Sequence, residues 1–198
     1  MVAAWAAAAY DPLIDEALAP RRGPALSLGV HRLQNDFGVH GGLSSPWLLD
    51  GHLSFRLEGG VAWFEDLRAL PPDGDPDTFG ALELYGTARA LLVAATPIGL
   101  ASGRLYVAVG PSLLFIDDRL SSDTVSPGVY GVAGVELFAG DAYRSSPFSF
   151  FFEAGGVAHT ATADVENRIG APETTDSFVA RAIATGFALG AGLRFHLW

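Results

Sequence analysis

The feature that most constrains this chain is an alternation of side-chain character with a period of two residues. In the segment GFALGAGLRFHLW, residues 186–198, apolar side chains occupy the odd positions from Phe187 to Leu197, whereas the even positions up to His196 hold Gly, Ala, Arg194 and His196. Successive strand side chains point to opposite faces, so this pattern predicts a strand with one apolar face and one small or ionisable face. Gly is unfavourable on a wet strand face, so we expect the small row to line a crowded interior and the apolar row to face lipid.

The same alternation recurs along the chain in eight extended segments that are separated by turn residues. Several of them exceed the usual five or six residues of a globular strand and reach the roughly 9 to 11 residues that a tilted strand needs to cross a bilayer. The segments are residues 24–33, 37–46, 52–66, 79–95, 102–117, 125–139, 147–163 and 177–198. We therefore predict an all-β fold, an eight-stranded antiparallel transmembrane up-and-down β-barrel.

The connections between these segments alternate in character. WLLDG, ATPIGLASGR and GDAYRSSP are tight or marked by Pro and Gly, whereas LRALPPDGDPDT, DDRLSSDT and DVENRIGAPETTDS are longer or more acidic. Outer-membrane barrels have short periplasmic turns and longer external loops, so the alternation favours such a barrel with both termini on the periplasmic side. The first external connection, from Gln34 to Asp36, is expected to be short.

Composition excludes several classes of partner and chemistry. Hydrophobic residues make up 49% of the chain and charged residues 17%, below the roughly 25% of soluble proteins, yet no run approaches the roughly 18 apolar residues of a spanning helix. The absence of Cys excludes disulfides, thiolate metal sites and cysteine nucleophiles. The net charge of −10 and the lack of clustered basic residues argue against nucleic acid as a partner.

A chain of 198 residues is long enough for one domain of this kind. We divide it into an N-terminal segment, residues 1–23, and a barrel domain, residues 24–198. The opening MVAAWAAAAY is Ala-rich and ends in an A-x-A pattern, which is typical of a signal-peptide remnant, although it lacks the positive region that usually precedes one. A short Ala-rich helix beside the fold is the other interpretation.

Charged residues occur on the row opposite to the apolar row. Opposite charges that pair can be accommodated in an interior, and eight strands enclose only enough space for side chains, so we expect an ion-pair ladder and a plugged lumen. The predicted lumen ladder consists of Arg56, Glu58, Glu83, Arg89, Arg104, Glu136, Glu153 and Arg194.

Aromatic residues cluster near the ends of the predicted strands. Trp and Tyr favour the membrane interface because each has an apolar body and a polar tip, so the clusters predict two aromatic belts. We assign Trp47, Tyr143, Phe148 and Trp198 to the periplasmic belt, and Trp63, Phe64, Phe79 and Phe115 to the external belt.

Taken together, residues 24–198 resemble the small eight-stranded outer-membrane barrels of Gram-negative bacteria, of the broad OmpA, OmpX and OmpW type. The alternation, the asymmetric turns and the GAGLRFHLW ending carry the resemblance. It implies a bacterial outer-membrane location, contact with outer-membrane lipid and lipopolysaccharide, and recognition of Leu193, Phe195, Leu197 and Trp198 by the barrel-assembly machinery. Trp198 departs from the usual ending because it is out of phase with the apolar row.

Candidate chemical sites are few. Asp73, Asp75 and Asp77 alternate in an acidic loop, and carboxylate clusters bind calcium, but the Gly and Glu of an EF-hand do not follow. A solvated acidic loop is the favoured interpretation, and we expect no metal and no cofactor. The segment AHTATADVEN, residues 158–167, contains His, hydroxyl and carboxylate groups, yet parity separates His159 from Thr160.

These observations predict a non-enzymatic outer-membrane β-barrel with a packed polar lumen and a structural or surface-interaction role, whose surface or envelope partner the sequence does not name. Three alternatives stay open. One is passage of small apolar solutes through a lateral opening, as in OmpW-like proteins, near Gly59, Gly60, Gly155 and Gly156. The others are a lipid-modifying outer-membrane enzyme and a soluble lipocalin-like ligand binder with its faces reversed.

Overall fold

A computed structural model describes residues 23–34, 36–63, 84–96, 103–116, 124–139, 147–160 and 185–197. The described residues form eight β-strands: β1 (Ala25–Leu33), β2 (Asp36–Ser44), β3 (Leu53–Trp63), β4 (Leu84–Ala95), β5 (Gly103–Phe115), β6 (Val125–Phe138), β7 (Phe148–His159) and β8 (Thr185–His196). No helix in this part of the chain is long and apolar enough to cross a membrane. The predicted N-terminal segment, residues 1–23, lies outside the described residues except for its last position.

The eight strands form one closed antiparallel barrel in which each strand pairs with its neighbours in sequence. Closure occurs between β1 and β8, which pair from Ala25 opposite His196 to Leu33 opposite Ala188. The predicted all-β, eight-stranded antiparallel barrel is therefore confirmed. The parts of the predicted segments at 79–83, 161–163 and 177–184 lie outside the described residues.

The barrel has two ends, which differ in the chain segments that they contain. The terminal end contains the start of β1 and the end of β8, and the loop end contains the end of β1 and the start of β2. At the loop end Leu33 pairs directly with Asp36, so two residues connect β1 to β2, as expected of a short connection. Asp36 itself is the first residue of β2 rather than part of the connection.

Strand register sets the tilt and the height of the barrel. A path that steps from each residue to its paired partner goes once around the barrel and returns to β1 ten residues away from its start. It starts at Leu33 and crosses the other strands at Ala188, Gly155, Val132, Ala108, Val93 and Ser54, and the registers of β2 with β3 and β1 complete the circuit. That stagger over eight strands corresponds to a tilt of about 40°. At about 3.3 Å per residue, a tilted 12-residue strand such as β4, β7 or β8 rises about 30 Å along the barrel axis.

Small residues make room for large ones where β1 meets β8. Gly29 pairs with Gly192 across this seam, and the Phe151 side chain, 1% exposed, fills the space beside both. A Cβ at Gly192 would lie 2.7 Å from Phe151 Cζ and 2.6 Å from Gly29 Cα, and would also overlap the Leu28 carbonyl. The interior row of β8 therefore needs glycine here for close packing.

We expect Gly192→Ala to lower the free energy of unfolding by about 1 to 3 kcal/mol, because the added methyl overpacks the seam. Gly59→Ala is the matched control, since Gly59 faces outward and its nearest neighbour, the Thr87 carbonyl oxygen, would be 3.9 Å from the new Cβ. Denaturant titration followed by far-UV circular dichroism measures both. Equal midpoints for the two variants would contradict the packing argument.

Candidate functional site

Among the residues that the structure describes, the barrel interior holds arginines and acids in equal number. Among the described residues, four arginines and four acids are buried there: Arg56, Arg89, Arg104, Arg194, Asp36, Glu58, Glu136 and Glu153. An unpaired buried charge is costly, whereas paired and hydrogen-bonded charges can be accommodated. Their contacts divide these residues into a terminal cluster, a central cluster and a loop-end group.

The terminal cluster is centred on Glu136 of β6, whose side chain is inaccessible to solvent. Arg104 Nε donates to Glu136 Oε2 at 2.6 Å, and Arg194 Nη1 lies 2.9 Å from the same oxygen. Ser149 Oγ donates to Oε1 at 2.5 Å, and His196 Nε2 lies 3.0 Å from it. One carboxylate thus receives four groups from three strands, β5, β7 and β8. Charge-assisted hydrogen bonds are about twice as strong as neutral ones.

The central cluster bridges the lumen. Glu153 of β7 accepts hydrogen bonds from Arg56 Nη1 of β3 at 2.6 Å and from the Tyr106 hydroxyl at 2.7 Å. Because β3 and β7 lie four strands apart in a ring of eight, the pair between Arg56 and Glu153 crosses the barrel. Arg56 Nε is also 3.0 Å from Glu58, which Arg89 approaches at 3.4 Å.

The loop-end group combines an acid, a phenol and two histidines. The Tyr85 hydroxyl donates to Asp36 Oδ2 at 3.1 Å, and His31 Nδ1 lies 3.2 Å from His40 Nδ1. Within the described strands, no three His, Asp or Glu side chains are arranged to hold a metal ion. Asp36 and Tyr85 lie on β2 and β4, which β3 separates, whereas His31 and His40 lie on the adjacent strands β1 and β2.

A serine and a histidine also meet inside this end of the barrel. His159 Nε2 lies 3.0 Å from Ser112 Oγ, a distance at which a histidine can act as base toward a nucleophile. Ser112 is 1% exposed, however, so a substrate outside the barrel does not reach it. In the described part of the chain this pair contributes to interior packing and not to an accessible catalytic site.

Seven members of the predicted lumen ladder lie in the interior, and each makes an ion pair in the terminal or the central cluster: Arg56, Glu58, Arg89, Arg104, Glu136, Glu153 and Arg194. Arg89 also lies with its Cζ 4.2 Å from the Tyr130 ring centroid. Glu83 lies outside the described residues, as do Asp73, Asp75 and Asp77.

Sequence reasoning missed several interior residues. Asp36 was assigned to a connection, although its two-residue phase with Gly38 and His40 places it on the inward row of β2. The tyrosine partners were also missed: Tyr106 is in phase with Arg104, and Tyr85 is in phase with Arg89. Counting hydroxyl groups on the charged row would have identified them as hydrogen-bond donors to the acids.

The aromatic predictions have mixed outcomes. Phe148 at the terminal end and Phe115 at the loop end point outward, and the partly buried Trp63 has its ring centroid 4.9 Å from that of Phe37. Trp47 was placed in a belt, and this was wrong: its ring centroid is 3.7 Å from Arg104 Cζ, and it packs against the interior cluster. The other belt residues, Phe64, Phe79, Tyr143 and Trp198, lie outside the described residues.

The exterior of the barrel is apolar around its circumference. Leu28, Leu105 and Val109 are 69%, 62% and 57% exposed, and comparable Leu, Val and Phe side chains point outward from every strand. On the outward positions of the described strands Arg32 is the one charged residue. Large exposed apolar surfaces on this scale mark contact with protein or membrane, since soluble monomers rarely expose them.

The four glycines proposed to bend strands at a lateral opening lie within continuous ladders. Gly59 and Gly60 pair with Gly41 and His40 on one side, and with Ala88 and Thr87 on the other. Gly155 and Gly156 are likewise paired with β6 and β8. The backbone is thus closed at these positions.

A scan against protein-family models found no match to this chain, and a search of curated proteins found none either.

A double-mutant cycle tests whether the central cluster is one energetic unit. We expect Arg56→Met and Glu153→Gln each to lower the free energy of unfolding by about 3 to 5 kcal/mol, because each leaves a buried charge with fewer partners. The double variant should lose less than the sum, since both members of the pair are then absent.

The matched control for this cycle combines Arg56→Met with Glu136→Gln, which belongs to the terminal cluster. We expect those two effects to add, because the residues share no ion-pair partner. Free energies of unfolding from denaturant titrations provide the comparison. Additivity in the Arg56 and Glu153 cycle would show that the contact across the lumen does not couple them.

Proposed function

We propose that this chain is a bacterial outer-membrane β-barrel that spans the bilayer and serves a structural or surface-interaction role. The observation that carries the proposal is the inverted distribution of polarity: ion pairs fill the interior and apolar side chains cover the exterior. Such a distribution of side chains is favourable when the surrounding medium is apolar. The closed barrel also suits that medium, because its strands form their backbone hydrogen bonds with one another.

The dimensions support the same proposal. Strands of 12 residues at a tilt of about 40° rise about 30 Å, which is close to the roughly 30 Å hydrocarbon core of a bilayer. The outward apolar residues extend along that height on β5, from Leu105 near the terminal end to Phe115 at the loop end. A lipid environment would cover this surface at both leaflets.

The filled lumen favours a non-enzymatic role without an open pore. The bridge from Arg56 to Glu153 occupies the middle of the barrel, and Glu136 with its partners occupies the terminal end. Continuous ladders past Gly59 and Gly155 do not favour lateral solute passage, and the buried Ser112 does not favour lipid modification. The apolar row points outward, which does not favour the soluble ligand binder with reversed faces.

Outer-membrane lipid, lipopolysaccharide and the barrel-assembly machinery are the partners that this proposal implies. An assembly factor that reads alternating apolar residues would contact Leu193 and Phe195, whose side chains are the last outward pair of β8. We retain the OmpA, OmpX and OmpW type as the class to which the proposal refers.

We expect the full chain to fold in detergent or phospholipid vesicles and to migrate differently on a gel before and after boiling, with a β-type circular dichroism spectrum. A closed barrel in detergent resists unfolding at room temperature and so runs as a compact species. A chain that folds in plain buffer as a monomer, with no change on boiling, would contradict the membrane proposal.

Arginine substitutions at two heights along the barrel distinguish an exterior that faces lipid from one that faces water. In vesicles, Val109→Arg at the middle of β5 should lower the free energy of unfolding by about 2 to 4 kcal/mol, and Leu84→Arg at the loop end by about 0 to 1 kcal/mol. Both side chains are exposed, so they are matched in burial. Equally small effects, within about 0.5 kcal/mol, are what a water-facing surface would give.

A further inference from the structure

Arg32 is the one charged side chain on the apolar exterior of the described strands, and it lies at the edge of that exterior. The outward residues of β1 are Leu26, Leu28, Val30 and Arg32, in order from the terminal end to the loop end. Arg32 is therefore the last outward residue before the connection to β2. A cation at the edge of an apolar band lies where lipid headgroups begin, if the band is in a bilayer.

The backbone beside Arg32 holds its guanidinium in place. Gln34 adopts φ of 53°, a left-handed conformation that residues with a side chain rarely adopt, and its N–H donates to the Phe187 carbonyl at 2.8 Å. The Gln34 carbonyl accepts a hydrogen bond from Arg32 Nε, also at 2.8 Å. Strained backbone of this kind is often found next to functional sites, and here it orients a cation.

Aromatic rings surround this cation in a row across three strands. Arg32 is directly opposite Phe37, and Phe37 is directly opposite Trp63. On the other side, Arg32 Cζ lies 6.0 Å from the Phe187 ring centroid, within the range of cation–π attraction. We call Arg32, Phe37, Trp63 and Phe187 the loop-end patch.

We propose that the loop-end patch binds the anionic phosphate headgroup of a membrane lipid in the leaflet at this end of the barrel. The inference rests on the proposed function, since it requires the apolar exterior to be in a bilayer. The planar guanidinium binds phosphate oxygens in a two-pronged geometry, and Nε is already held by Gln34, which leaves the terminal nitrogens for the ligand. Tryptophan and phenylalanine rings fit the adjacent interfacial layer.

Charge complementarity favours this occupant over a second copy of the chain. A two-fold contact through the patch would bring two Arg32 side chains toward each other, and like charges repel. A phosphate instead supplies the opposite charge to the one cation on the described outward face. The patch would fix both the depth of the barrel and the position of one lipid.

The test uses the full chain folded in a zwitterionic detergent, titrated with phosphatidylglycerol and followed by native mass spectrometry. We expect Arg32→Gln to weaken binding of the lipid by about tenfold, the factor that corresponds to one charge-assisted contact. Arg32→Lys keeps the charge but loses the planar fork, so it should have an intermediate affinity. Equal affinity of wild type and Arg32→Gln would overturn the site.

Two controls test whether lipid binding depends on the position of Arg32 and on the acyl chains of the ligand. In Arg32→Gln combined with Leu26→Arg, the cation moves to the other end of the same strand face, and we expect affinity to stay low; recovery would mean that any outward cation suffices. Inorganic phosphate should compete weakly, because it lacks acyl chains, and equal competition would indicate a general anion site.

The same samples separate this inference from the proposed function. A wild-type chain that shows the boiling-dependent gel shift but binds phosphatidylglycerol no better than Arg32→Gln would overturn the headgroup site alone. A wild-type chain that is folded and monomeric without detergent would overturn the membrane proposal and the patch with it. The gel shift of Arg32→Gln itself reports that this exposed substitution leaves the barrel folded.

Discussion

Closure of β1 against β8 is the constraint on which the rest of this structure depends. Once the first and last strands pair, every strand has two hydrogen-bonded neighbours and the sheet has no open edge. A ring of eight strands encloses space for side chains and little else. Interior residues from opposite walls must therefore meet, and their chemistry has to be mutually compatible across the lumen.

The interior satisfies that demand by sharing acids between arginines. Glu136 is shared by Arg104 and Arg194, and Glu58 by Arg56 and Arg89, so no arginine of these clusters lies apart from a carboxylate. Each contact combines charge with hydrogen bonding in a space of low dielectric, where pairing is strong and an unpaired group is costly. At the seam between β1 and β8, the paired glycines Gly29 and Gly192 make room for the Phe151 ring.

The exterior is the complement of this arrangement. The described strands bury eight charged side chains and expose leucine, valine and phenylalanine around the barrel, so the usual positions of polar and apolar residues are exchanged. That exchange stabilises a fold in hydrocarbon and destabilises it in water. The proposed bilayer location and the proposed headgroup contact at Arg32 both follow from this one inversion, the first from the apolar band and the second from its boundary.

The period of two determined much of this protein from sequence alone. It places strands to within a few residues over most of their described length and assigns Arg56, Glu136 and Arg194 to the inward row, because strand geometry forces neighbours to opposite faces. Parity does not extend into turns, so Trp47, which follows β2, was misplaced. Parity also does not reveal which side chains contact each other. Arg56 contacts Glu153, 97 residues away, because of the number and register of the strands, which only the closed tertiary structure decides.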